Sequence, residues 1–71
     1  MDAQILAETI NRFLATIPDE KQAIFLRRYY YLDSISAISH IFDINENKVK
    51  ITLFRIRKNL KDFLTQEGYT L

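Results

Sequence analysis

The 71-residue chain has no cysteine and no tryptophan, and only one histidine, one glycine and one proline. Without cysteine there is no disulfide, thiolate nucleophile or sulfur ligand, which suits a reducing cytoplasm. A metal would rest on His40 and carboxylates alone, and no second or third ligand stands at metal spacing. No metal and no cofactor is expected. One glycine excludes a glycine-rich phosphate loop. Ser34, Ser36 and Ser39 have no base in a recognisable arrangement, so an enzyme is not expected either. No apolar run nears the roughly 18 residues that span a bilayer. The opening MDAQILAETI lacks the positive leader and apolar centre of a signal peptide.

What is present is charge, unevenly placed. The net charge of +1 conceals a gradient. Residues 1–20 set Arg12 against Asp2, Glu8, Asp19 and Glu20, a net of −3. Residues 21–45 set Lys21, Arg27 and Arg28 against Asp33 and Asp43, a net of +1. Residues 46–61 carry Lys48, Lys50, Arg55, Arg57, Lys58 and Lys61 against Glu46 alone, a net of +5. Asp62 and Glu67 follow with −2. An acidic front and a basic rear point to a localised anion-binding face.

That basic stretch is also the strongest helix signal. Val49, Leu53, Ile56, Leu60 and Phe63 or Leu64 recur at steps of three and four, forming one apolar stripe that other helices must cover. Before it, Ile5, Leu6, Ile10, Phe13, Leu14 and Ile17 follow helical spacing after Asp2, a capable N-cap. Pro18 restarts the chain, with Asp19 and Glu20 where a helix start prefers negative charge. Ile24, Phe25, Tyr29 and Leu32 are expected inward from this second helix. Ser34 caps a third, SISAISHIF, with Ile38, Ile41 and Phe42 inward. Its serines and β-branched residues make it intrinsically poor, so packing must hold it. Asp43-Ile44-Asn45 reads as a tight turn: Asp43 left-handed, Ile44 a core plug, Asn45 the cap of the fourth helix. Gly68 fits a helix C-cap, with Tyr69 folding back onto Phe63 or Leu64.

The expectation is one all-α domain over residues 1–71, with helices at about 2–15, 18–31, 34–42 and 46–66. The third and fourth would form a helix-turn-helix within a winged-helix-like three-helical core that has no wing. At this length about 60% of the unfolded surface is buried, so stability is modest.

The order of these features resembles a known family. IPDEKQAIFLRRYYYLDSISAISHIFDINENKVKITLFRIRKNLKDFL combines a proline-initiated helix ending in Arg28-Tyr29, a serine-capped helix with Ile38, and a turn carrying Ile44. Val49-Lys50, Leu53, Arg55, Arg57 and Leu60 follow. This is similar to the fourth conserved region of bacterial sigma-70 family sigma factors, the extracytoplasmic-function type above all. The resemblance covers about residues 17–64, and the first helix fits the one preceding this region. It implies a transcription initiation factor that binds the −35 element of promoter DNA in the major groove. It also implies outer helices that hold the flap of the RNA polymerase β subunit, and it makes an anti-sigma factor a candidate partner. Carried over by position, Glu46, Asn47, Lys50 and Ile51 would form the major-groove face, with Arg55 on the flanking backbone. Asp43 stands where the family often has glycine, Ser39 where it often has alanine, and Ile51-Thr52 where a Ser-Arg pair is commoner. No stretch resembles the family's second region, which binds the polymerase clamp and the −10 element.

The residues themselves allow finer readings. Asn47 can pair bidentately with adenine, and Lys50 can reach guanine or phosphate. Ile51 can touch a thymine methyl but cannot hydrogen-bond a base edge. Glu46 either accepts from cytosine or serves the helix dipole. Lys48, Arg55, Arg57, Lys58 and Lys61 are expected on phosphates. Arg27 and Arg28 either contact phosphate, Arg28 the chosen candidate, or pair with Asp33 or Asp43. Tyr29, Tyr30 and Tyr31 are either stacking surfaces or core and rim. A second class of function is a protein-interaction module. It would use Ile10, Phe13 and Leu14 toward the polymerase, an anti-sigma factor or a second copy of the chain. A membrane-bound role is not expected, because the apolar stripe is committed to the core.

Overall fold

The computed structural model describes residues 3–69. Asp2, the expected cap of the first helix, lies outside them. Four helices and no strand occur among the described residues: α1 (Ala3–Leu14), α2 (Asp19–Tyr29), α3 (Ile35–Phe42) and α4 (Glu46–Gln66).

α1 stops before Pro18, which cannot donate a helical N–H. The Thr16 hydroxyl donates to the Phe13 carbonyl at 2.6 Å as the helix ends. Pro18 is the N-cap of α2 and offers no side-chain acceptor. α2 ends at Tyr29, two residues short of the expected boundary. There the chain turns through Leu32 at φ 57°. Tyr31 N–H donates to Leu26 O, Asp33 N–H to Arg27 O, and the Arg28 guanidinium closes the loop on Asp33 O at 3.0 Å. This turn corrects two core assignments. Leu32 is 79% exposed rather than inward, and Tyr29 is 41% exposed. A leucine at positive φ costs about 1–2 kcal/mol. Leu32→Gly should therefore raise stability by about 0.5–1 kcal/mol, net of glycine's larger unfolded-state entropy. Urea unfolding measures it, and a lower midpoint would show that the exposed leucine contributes contacts that outweigh the strain.

Local capping fixes α3 and α4. The Ser34 hydroxyl accepts from Ala37 N–H at 3.0 Å, and the Asn45 side chain accepts from Lys48 N–H at 2.7 Å. Between them Asp43 is left-handed, at φ 54° and ψ 48°. Losing a cap of this kind costs about 1 kcal/mol, so Asn45→Ala should lower the thermal midpoint by roughly 4–8 °C. Ile41 is 50% exposed, against the inward placement expected for it. It lies about 90° around the helix from the direction shared by Ile35, Ile38 and Phe42, at about 100° per residue.

The core has two lobes joined by α4. Ile24, Ile38, Val49 and Leu53 form one, with Ile35, Phe42 and Ile44 packed against it. Phe13, Leu14, Phe25 and Ile56 form the other, with Ile10, Ile17, Leu26, Leu60 and Phe63 around it. Adjacent residues of α2, Ile24 and Phe25, thus serve different lobes. The stripe read along α4 is the part both share. At the far end Gly68 adopts φ 97° and Tyr69 N–H donates to Leu64 O. The Tyr69 ring reaches α1, its hydroxyl 3.2 Å from the buried Thr9 hydroxyl. Arg12 bridges to Glu67 at 2.9 Å, tying the same two elements. No helix among the described residues is long and apolar enough to cross a membrane.

Candidate nucleic-acid interface

Because Val49, Leu53 and Ile56 are buried, the opposite side of α4 is fixed outward. At about 100° per residue, Ile51 lies opposite Val49, with Asn47, Phe54 and Lys58 beside it. Lys48 and Arg55 fall on one flank of this line, and Lys50, Arg57 and Lys61 on the other. All of these are exposed, as is Glu46. Glu46 occupies the first turn of α4, where its charge meets the positive helix end. It makes no ion pair among the described residues. Ile51 is 42% exposed and Phe54 is 62% exposed, so the outward line is apolar at its middle and cationic at its sides.

The ten cations divide by what they touch. Arg12 is bound to Glu67, and Arg28 to the Asp33 carbonyl. Arg27 lies 3.6 Å from the Asp33 carboxylate and over the Tyr31 ring. Arg57 donates to the Tyr29 hydroxyl at 2.7 Å, drawn toward α2. Arg28 and Arg57, both expected on phosphate, are therefore engaged within the protein. For Arg27 the open alternative resolves to the pairing with Asp33. The side chains of Lys21, Lys48, Lys50, Arg55, Lys58 and Lys61 make no hydrogen bond or ion pair among the described residues. None of the described side chains pairs with these six exposed cations, so their charge is open to an anion from solvent.

The expected partner surface on α1 is corrected. Phe13 and Leu14 are 4% and 2% exposed, because they anchor α1 to Phe25 and Ile56. Ile10 is half-buried and borders a shallow apolar groove with Phe25, Tyr29, Tyr30 and Leu60. On α1 the exposed large apolar residue is Ile5, and away from α4 a cluster of exposed apolar side chains lies at the end of α2, where Tyr30 and Tyr31 are 60% and 67% exposed. The early end of α2 and the left-handed Leu32 together turn these side chains outward. His40 is exposed on α3.

Comparisons of the chain with protein-family models, with curated proteins and with solved structures find no match. The functional reading thus rests on this chain's own residues. One cation was missed on sequence: Lys21, read only as part of the charge gradient of the middle segment. The fold brings it from the first turn of α2 to α4, across 27 residues from Lys48. Charge counted by segment does not register that approach.

Proposed function

We propose that this chain is a DNA-binding domain of transcription initiation, a sigma region 4-like module that performs no chemistry and works in the cytoplasm. α3, the Asp43–Asn45 turn and α4 would act as its helix-turn-helix, with the first two turns of α4 entering the major groove of promoter DNA at the −35 element. One observation carries the reading. The capped N-terminal half of α4 presents Glu46, Asn47, Lys50 and Ile51 outward, while its other side is locked into the core by Val49 and Leu53. In this reading Asn47 pairs with adenine and Ile51 meets a thymine methyl. Lys48, Arg55 and Lys58 hold phosphates, and Lys50 reaches a base edge or a further phosphate. The polymerase flap, or an anti-sigma factor, would be met by Ile10 with Tyr30, Tyr31 and Leu32 rather than by Phe13 and Leu14.

About four phosphates neutralised implies that log K for a duplex falls with log salt at a slope of roughly −3.6. Fluorescence anisotropy across a salt series measures the slope, and selection from a random duplex pool measures the preference. A slope near zero sinks the proposal. The exposed tyrosines favour a second reading, a protein-interaction module. In that case Lys50→Glu leaves partner binding intact and Tyr31→Asp removes it.

A further inference from the structure

A cleft of about 590 Å³ separates the α1–α2 connection from one flank of α4. Among the described residues its polar lining is Thr16, Lys21, Lys48, Thr52, Arg55 and Asn59 together with Asn45 and Asn47, and no carboxylate lines it. Three of the six cations that have no partner among the described residues therefore line one hollow from two separate elements. Glu20 borders the smaller adjoining hollow with Lys21 and Lys48, but pairs with neither within 4.0 Å. Helix stability does not explain the arrangement. Lys21 is the third residue of α2 and Lys48 the third residue of α4. A cation in the first turn opposes the helix dipole, by typically 0.3–1 kcal/mol at an exposed site. Lys21 and Lys48 line one cleft with no ion pair among the described residues, an arrangement that an external anion would offset.

The spacing decides what kind of anion. Lys48 and Arg55 are seven residues apart on one flank, roughly 10 Å along the helix. Side chains extended from positions that far apart suit successive phosphodiesters of a strand, and the pyrophosphate titration below separates this from a single phosphate ligand. The cleft also adjoins the outward line, since Asn47 and Ile51 sit on its edge.

We propose that this cleft holds the phosphate backbone of one DNA strand, clamped by Lys21 on α2 and by Lys48 and Arg55 on α4. The proposal rests on the DNA-binding reading above and adds a strand contact outside the α3–α4 unit. It places α4 with Asn47 and Ile51 toward the bases and this strand against the α1–α2 connection. Lys50 and Lys61 are left for the opposite wall of the groove.

The test is duplex binding by Lys21→Ala across a salt series, beside the unaltered protein. Lys21 is exposed and unpartnered, so circular dichroism should show an unchanged fold. Lys21→Ala should weaken binding roughly tenfold at 0.1 M salt, equally for all sequences, and reduce the salt slope by about 0.9. If the unaltered protein binds with a steep slope and Lys21→Ala matches it, the clamp is overturned and the DNA reading stands. If the unaltered protein shows no salt-dependent duplex binding, both fall. A parallel NMR titration with pyrophosphate separates the remaining source. Shifts confined to residues 16–21 and 48–59, without duplex binding, would assign the cleft to a free phosphate ligand and overturn the strand.

Discussion

Ile38→Ala should cost about 2–5 kcal/mol, in a domain whose total stability is roughly 4–10 kcal/mol for its length. Ile38 is 0% exposed and sits where α2, α3 and α4 meet, against Ile24, Val49 and Leu53. α3 has eight residues, rich in serine and isoleucine, so it is held helical mainly by this side chain, by the partly buried Ile35 and Phe42 beside it, and by the Ser34 cap. The cavity left by alanine cannot close easily, because Leu53 and Val49 project from a long rigid helix. The thermal midpoint should fall by at least 10 °C. Ile41→Ala, three residues further on and half exposed, should change stability by less than about 0.5 kcal/mol. Equal effects at the two positions would mean that α3 is not docked as described. Because α3 also sets the Asp43 turn, partly unfolded Ile38→Ala should lose duplex binding in proportion to its unfolded fraction.

These two isoleucines also show where sequence reasoning stops. Local chemistry was legible. Ser34 and Asn45 cap the helices they precede, Asp43 and Gly68 take the left-handed positions at helix ends, and the α4 stripe is buried as its spacing requires. Each of these depends on neighbours within a few residues. Ile41, Leu32 and Tyr29 were misread because their exposure depends on how a whole helix is rotated, or on a turn that only three-dimensional packing selects. The same holds for the site. The cationic flank of α4 follows from its periodicity. Lys21 could not be assigned to it, because 27 residues and two helix reversals separate it from Lys48. The Thr9–Tyr69 and Arg12–Glu67 contacts span 60 and 55 positions and have no sequence signal at all.

Lys48→Glu combined with Arg55→Glu should reduce duplex affinity by about 10³-fold or more at 0.1 M salt. In the proposed DNA-binding reading each replacement removes about one phosphate contact, worth roughly tenfold there, and adds repulsion of the strand. Stability should not fall. Neither side chain has a hydrogen bond or ion pair among the described residues to lose. Glutamate at position 48 also stands three residues after the Asn45 cap, where it favours the helix dipole and can reach back to the cap's N–H. The thermal midpoint should hold or rise slightly while binding collapses. That opposition separates a binding face from a structural one, and Phe13→Asp cannot provide it, because a charge in the buried Phe13–Phe25 lobe unfolds the domain and removes every activity at once. Tyr31→Asp is the matching probe for a protein partner, exposed enough to leave the fold alone. Loss of binding in the double reversal with full binding in Tyr31→Asp would assign duplex recognition to α4. Full duplex binding in the double reversal would remove α4 from duplex recognition, and loss of protein-partner retention in Tyr31→Asp would make the tyrosine end of α2 the working surface.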